Sequence, residues 1–495
     1  MSKKRVELVF VPIPFVGHIV STIELAKHLM AREPCISVTI FIIKYPTSVD
    51  VNARIQSLSA SIAGIRFIEL PHLELPSPDR AQSPEAMLSI FMEDYKPFVK
   101  TTVTQLFFTP ESSDSKPGRL AGLFIDMFCT PMIDVATELG IPSYIFFAST
   151  ACLLGLLLHL PALDAGIHSD FKDSETDFMI PSLTNSVPFQ VLPESLWHKN
   201  HDGFTWSVYH GRRLREAKGI IINTFAELEP YAVHSLPLDG SNPPVYPVGP
   251  LLDHQGLIHM ESERTQFRST KRWLDDQPTA SVVFLCFGSM GSFNPPQVKE
   301  IAVGLERSFH RFLWSLCQPH HSGQNCRKKY TNLEELLPEG FLDRTTKRGF
   351  VCGWVPQVDV LGHHAIGGFV SHCGWNSILE SLWYGVPIAA WPLYAEQHLN
   401  AFEMAKELRG LVVELRLDDL VMAEEVERAV RCLMDSDCEV RKKVKELREM
   451  SRQVLMDGGS SFTSLGRLIE DLMDERANEV VVKVCPNFST LNTDG

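Results

Sequence analysis

The apolar and polar positions of this chain repeat in two periods. Short unbroken apolar runs recur, and between them lie segments whose apolar residues return every three or four positions. ELVFVPI (7–13) precedes HIVSTIELAKHLMA (18–31), and SVTIFII (37–43) follows. LAGLFID (120–126), a helical pattern near 131–139, SYIFF (143–147) and GIIINTF (219–225) complete a first series. A second opens at SVVFLCFGS (281–289). It predicts a helix over PPQVKEIAVGLERS (295–308) and strands at RFLWSL (311–316), GFVCGW (349–354), GGFVSH (367–372) and PIAAWP (387–392). Strands apolar on both faces that alternate with helices predict parallel sheets covered on both sides. The fold class is therefore α/β, with two Rossmann-like halves. The Pro- and Gly-rich segment NPPVYPVGPLLDHQG (242–256) separates the two series,. It places one domain at 1–248 and a second at 249–478, whose final helix is free to pack back on the first. Residues 479–495 are read as a flexible tail. Two such domains leave a cleft between them.

Composition narrows the partners. The 495 residues carry a formal charge of −14, which argues against nucleic acid, whose backbone needs a basic surface. Eleven cysteines without a C-x-x-C pair read as reduced thiols of a cytoplasmic protein,. The start, MSKKRVELVFVPIP, lacks a cleavage site and carries Glu7, so it reads as a strand rather than a signal peptide,. Residues 143–163 are long and apolar enough to imitate a membrane span, but Ser149, Thr150, His159 and the flanking prolines favour a buried strand followed by a buried helix,. No integral membrane segment is expected. SGQNCRKKY (322–330) reads as an exposed loop, and the sequon at Asn487 is discounted because no secretory route is visible.

The densest chemistry lies in FVSHCGWNSILESLWYGVP (369–387). With GGFVSH as a strand and WNSILESLWYG as a helix, His372 to Ser377 occupy the carboxyl end of a parallel strand and the first turn of a helix. Ligands bind there in open α/β sheets, and free N–H groups with the helix dipole favour an anion. Gly374 allows close backbone approach, and His372, Asn376 and Ser377 add donors. Glu380 shares the face of Asn376 and Ser377 one turn on, where it suits a ribose diol. Phosphate plus diol means a nucleotide; the alternative is a capped core helix with a solvated glutamate. In GWVPQ (353–357), Trp354 can stack on a base or pack in the core, and Val355 and Gln357 lie beside it. YAEQ (394–397) presents Glu396 and Gln397, which suit sugar hydroxyls or else begin a helix.

The stretch from Trp354 to Gln397 closely resembles the signature box of plant secondary-product UDP-glycosyltransferases, family 1, with the GT-B fold. PIPFVGHIVS, LFIDMFCTPMIDVA, NTFAELEP, YPVGPL, WLDDQP and VVFLCFGSMGSF occur in family order, so the resemblance covers nearly the whole chain. It implies that Trp354 stacks on uracil with Val355 and Gln357 beside it. It implies that His372, Asn376 and Ser377 hold the diphosphate with Ser289, and that Glu380 holds the ribose. Trp375, Glu396 and Gln397 would face the sugar, and Tyr394 opens that donor-binding segment. Many members carry Asp at the position of Glu396; a Gln at Gln397 usually goes with glucose.

His18 follows the first strand at a helix start, and Asp126 ends the strand 120–126, so both project from one sheet edge towards the cleft. A helix start is expected to leave His18 neutral and able to accept a proton, with Asp126 orienting the ring. The resemblance assigns them as general base and partner in an inverting transfer from UDP-glucose, without a cofactor or metal. A lone histidine at a helix start otherwise caps or packs. Asp435-Ser436-Asp437 reads as a solvated turn, and His363, His364 and His372 have no metal-ligand spacing. A nicotinamide dehydrogenase is disfavoured because no G-x-G-x-x-G follows an early strand. A UDP-sugar epimerase and a non-catalytic UDP-sugar sensor are the rivals from other classes. The acceptor is expected to be a small hydrophobic aglycone, most naturally a flavonoid, dihydrochalcone or other phenolic, with a terpenoid or hormone as the alternative. FMEDYKPF (91–98), residues 150–158 and VPFQVLPESLW (187–197) are expected to line its pocket. The protein is expected to be a monomer.

Overall fold

The computed structural model describes residues 5–46, 62, 64–109, 118–254, 256, 261–318, 330, 332–408 and 410–474. The loop expected at 322–330, apart from Tyr330, the tail at 479–495 and the sequon lie outside these residues.

Among the described residues, seven parallel strands form the first sheet: β1 (Val6–Val11), β2 (Ile36–Ile42), β3 (Ile65–Glu69), β4 (Arg119–Asp126), β5 (Ser143–Phe147), β6 (Gly219–Ile222) and β7 (Val245–Pro247). Their spatial order is β3-β2-β1-β4-β5-β6-β7. Six more form the second: β8 (Val282–Cys286), β9 (Arg311–Ser315), β10 (Gly349–Cys352), β11 (Ile366–Ser371), β12 (Ile388–Ala390) and β13 (Val412–Glu414). Their order is β10-β9-β8-β11-β12-β13. In each sheet the strand order reverses once, between β1 and β4 and between β8 and β11. A crevice for ligands opens at such a reversal.

The central strands are buried along their whole length, as their unbroken apolar runs predict,. Three strands were not read from the sequence. β3 is half-exposed at one edge, β13 spans three residues at another, and β7 lies inside the segment taken as linker. Pro247 closes β7 at the sheet edge, where a missing N–H costs no ladder bond. The apolar stretch at 143–163 divides into β5 and a helix, Ala151–Gly166, that runs through Pro161 instead of stopping there. Among the described residues no helix is long and apolar enough to cross a membrane.

The chain crosses between the lobes more than once. The helix Ser460–Met473 follows the second sheet but buries Leu465, Leu468, Ile469 and Leu472 in the first-sheet cluster that holds Val6, Leu8 and Phe10. Arg119 donates to the Leu472 carbonyl at 2.5 Å, and Ser461 donates to that of Gly249 at 2.6 Å. Tyr246 donates to Asp471, and Arg32 lies over the Phe462 ring, 3.6 Å from its centroid. Leu399, between β12 and β13, also belongs to a first-sheet core.

Leu468→Ala should lower the unfolding free energy by about 2–5 kcal/mol, because the cavity forms where the last helix meets the first sheet. Urea unfolding followed by tryptophan fluorescence measures it.

Candidate active site

The Val16–Arg32 helix begins directly after β1, and its N-cap residue, Phe15, makes no side-chain cap bond. His18 is its third residue. Asp126 is the last residue of β4, the strand paired with β1 across the reversal. This pairing brings His18 Nδ1 to 2.7 Å from Asp126 Oδ2. Asp126 Oδ1 also accepts the Phe128 N–H at 3.3 Å. An ionised carboxylate only accepts, so Nδ1 carries the proton and Nε2 keeps its lone pair. The His18 ring stays 22% exposed while Asp126 beneath it is buried. Burial acts to lower the His18 pKa, but the charge and hydrogen bond of Asp126, helped by the charge of Glu396, raise it above the ordinary histidine value. The carboxylates thus act on His18 in the sense opposite to a helix start, making it a stronger base.

In the second lobe, β11 hands over to the helix Trp375–Tyr384 through His372, Cys373 and Gly374. No side chain caps this helix, so its first N–H groups are open to a ligand. The His372 ring is wedged between Gly288, after β8, and Gly374. A Cβ on either glycine would stand 2.7 Å or 2.5 Å from Nε2. Burial pushes the His372 pKa down to about 4. It therefore offers a neutral N–H donor, not a cation, at physiological pH. Ser289 is exposed on the turn beside it. Cys373 adopts φ +63°, and the Asn400 amide donates to its carbonyl at 3.0 Å.

Gln357 donates its amide hydrogens to Ser377 Oγ at 2.8 Å and to Glu380 Oε2 at 2.7 Å. Burial raises the Glu380 pKa to about 7, against the Gln357 hydrogen bond and with help from the charge of Asp253. Trp354 is half-buried outside the second core, whereas Val355 is inside it. Tyr394 is exposed, and Glu396 is half-buried at the N-cap of the Gln397–Phe402 helix. Burial raises the Glu396 pKa, although a backbone N–H and His18 oppose it.

Two of the expected sugar contacts also hold protein partners. Trp375 is only 3% exposed, and its indole donates to the Asn223 carbonyl of the first lobe at 2.7 Å. Its side chain pegs the lobes together. Gln397 is buried, and its amide oxygen accepts the N–H groups of Leu393 (2.9 Å) and Tyr394 (3.1 Å). Only its NH2 end is left for a ligand, so it acts as a donor and as a brace for its loop.

The two chemistries meet. Asn376, on the open helix turn, donates to the Gly17 carbonyl next to His18 at 3.3 Å. A Cβ on Gly17 would stand 2.9 Å from that amide nitrogen. An uncapped helix end and an imidazole–carboxylate couple therefore lie side by side. Among the described residues no cluster of three or more His, Cys, Asp or Glu could hold a metal ion. Asp435 accepts the Asp437 N–H at 3.0 Å in an exposed turn.

Residues 243–451 match the model of the UDP-glucoronosyl and UDP-glucosyl transferase family. UDP-glycosyltransferase 71K2 of Pyrus communis is 48% identical over 96% of this chain and 99% of its own length. UDP-glucose flavonoid 3-O-glucosyltransferase 6 of Fragaria ananassa is 47% identical over 95% of this chain and 99% of its own. The crystal structure of Medicago truncatula UGT71G1, complexed with UDP-glucose, superposes with a TM-score of 0.85. It is 42% identical and covers 95% of this chain and 99% of that one. The chain belongs to the plant family 1 UDP-glycosyltransferases. Its two lobes are the paired Rossmann-like domains of the GT-B fold.

Several residues that shape the glycosyltransferase site carry no chemical signal of their own. Asn223 is fully buried and binds the Leu251 N–H at 2.8 Å while its carbonyl receives Trp375. Asn400 sets the His-Cys-Gly turn from the next helix. Gly17 and Gly288 make room for Asn376 and His372. The signal in the sequence was position alone: NTF follows β6, and Gly288 follows β8.

Gly288→Ala in the glycosyltransferase should weaken UDP binding by about tenfold, since φ is +76° there and the added methyl meets His372,. Titration calorimetry with UDP measures it, and Ala at the exposed Ser289 should cost less.

Proposed function

We propose that this enzyme transfers glucose from UDP-glucose to a hydroxyl of a small plant phenolic, with inversion at the anomeric carbon. The observation that carries the reading is the Asn376–Gly17 contact, which sets the open helix end against the His18–Asp126 couple. Trp354 takes the uracil with Val355 and Gln357 beside it, and Glu380 with Gln357 takes the ribose diol. The N–H groups of the first helix turn, with Gly374, Asn376, Ser377, His372 and Ser289, take the diphosphate. The charge that develops on UDP as it leaves falls on these fixed donors. The NH2 end of Gln397, the Glu396 carboxylate and the loop at Tyr394 take the sugar, while Trp375 holds their lobe against the first.

His18 Nε2 removes the acceptor proton as that oxygen attacks the anomeric carbon from the face opposite UDP. Asp126 stabilises the imidazolium that forms. A flat aromatic acceptor suits the first lobe beside His18. Phe15, 37% exposed, lies edge-on to the His18 ring at 6.4 Å and 5.9 Å from Tyr45, which meets Phe91 at 5.5 Å. Phe91 and Tyr95, expected in the pocket, are wholly buried and form the core behind this ledge. The relative from Fragaria ananassa, named a flavonoid 3-O-glucosyltransferase, supports a phenolic acceptor. Incubating the purified enzyme with UDP-glucose and a library of phenolics and terpenoids, with products read by mass spectrometry, tests the assignment. Exclusive terpenoid products would overturn the acceptor class.

His18→Ala should cut kcat by about 10²–10⁴-fold and leave UDP affinity unchanged, because the base touches only the acceptor. A variant that keeps a tenth of wild-type kcat removes His18 from the role.

The base works only when deprotonated, and its pKa lies above the usual 6.5. kcat/KM should therefore fall, as pH drops, on an acid limb above pH 6.5. Asp126→Asn should move that limb to lower pH and reduce kcat by about 100-fold or more. A pH–rate profile of both proteins checks the two shifts together.

A further inference from the structure

The helix Gln397–Phe402 continues into a wider π-helical turn, Glu403–Glu407. This segment lies between the lobes. Leu399 enters a first-lobe core and Met404 the second. Glu407 accepts from the backbone N–H and hydroxyl of Thr184 at 2.8 and 2.7 Å, and from the backbone and side-chain N–H of Asn185, both at 2.8 Å. One turn earlier, Glu403 points into the junction, where it meets Glu229 of the first lobe. Both glutamates are 1% exposed.

Glu229 Oε1 accepts the Cys152 N–H at 3.0 Å, at the start of the Ala151–Gly166 helix. The two carboxyls interact directly, with the Thr150 and Thr224 hydroxyls bordering them. Yet Glu229 Oε2 and both oxygens of Glu403, all buried, receive no well-formed hydrogen bond from the described residues. The groups that act most on the pair are Glu407, the N–H groups of Ala151 and Cys152 and the hydroxyls of Thr150 and Thr224, and none of these is a cation. Two buried carboxylates in contact without a cation cannot both ionise at low cost. A single proton between them supplies the missing donor.

We propose that Glu229 and Glu403 share one proton across the lobe junction, and that this acid–carboxylate bridge positions the donor-side segment 397–408 against the first lobe. Glu229 keeps the charge, because the helix N-terminus and its N–H groups favour an anion. Glu403 carries the proton and donates. The segment it anchors bears Gln397, which braces the sugar-side loop, and Asn400, which sets the turn at Cys373. Glu403 and Glu229 are thus positioning residues that act through Gln397 and Asn400.

Burial, with the charges of Glu229 and Glu407, places the Glu403 pKa well above the ordinary carboxylate value. The bridge is therefore intact at acid and neutral pH and is lost as pH rises through that raised value. Glu403→Gln supplies an N–H donor at every pH, whereas Glu403→Ala supplies none.

UDP binding by calorimetry, run from neutral to alkaline pH on the full chain, keeps the test independent of the acceptor and of His18. At neutral pH, Glu403→Gln should bind UDP as the wild type does, and Glu403→Ala about tenfold more weakly. Towards alkaline pH the wild type should lose affinity before Glu403→Gln does. A wild-type-minus-Glu403→Gln infrared difference spectrum at neutral pH should show the C=O stretch of a protonated carboxyl. The proposal fails if the Gln variant is as weak as the Ala variant, if the alkaline losses coincide, or if that band is missing. Should Glu403→Ala not fold, the wild-type and Gln pair decides it alone.

Discussion

Asn376 reaches over the crevice to the Gly17 carbonyl, and the whole site is organised around that short span. On one side lies a helix end left without a cap, on the other an imidazole held by a buried carboxylate. Each half has a use only when the other is within reach. A helix terminus binds a diphosphate anywhere, and a histidine–aspartate couple polarises water as readily as an alcohol. Set face to face, they support the proposed transfer, in which leaving group and nucleophile lie on opposite sides of one carbon. The constraint explains the small residues at the contact. Gly17, Gly288 and Gly374 stand where any side chain would push the two surfaces apart or displace His372.

Electrostatics sort the acids of the crevice into separate tasks. Asp126 lies below His18 and raises its basicity. Glu396, from the opposite lobe, adds to that effect while burial raises its own pKa. Glu380 is buried beside Gln357 and titrates near neutrality, so its readiness to accept a hydrogen bond changes with pH inside the working range. His372 stays uncharged. In the proposed reading the diphosphate is held by N–H dipoles that neither lose nor gain protons, which keeps its binding apart from the titration of the base.

Much of this was legible in the sequence for a physical reason. Strands buried on both faces are unbroken apolar runs, so the central strands and the helices between them stand out. The edge strands β3, β7 and β13 need no such runs and were not visible. The segment from Trp354 to Gln397 stood out because it sets hydrogen-bonding groups at helical spacing after a strand, the pattern that phosphate and diol recognition would need. Trp375 and Gln397 show the limit. An indole or an amide beside a ligand turn fits the ligand and the packing equally well, and only the neighbouring lobe decides. Asn223 and the Phe15–Tyr45–Phe91 ledge depend on partners far along the chain, and no local spacing announces them.

The helix Ser460–Met473 completes a core whose other members, β1 and its neighbours, lie at the far end of the polypeptide. During synthesis the first lobe emerges from the ribosome with an apolar face that nothing yet covers. It cannot close until the second lobe has been made. That apolar face stays uncovered from the completion of β7 at Pro247 until the helix Ser460–Met473 has been made, the kind of non-local closure that is slow and open to aggregation,. The same threading ties the lobes at more than one point, which restrains free rotation about a single linker and favours a narrow opening and closing movement.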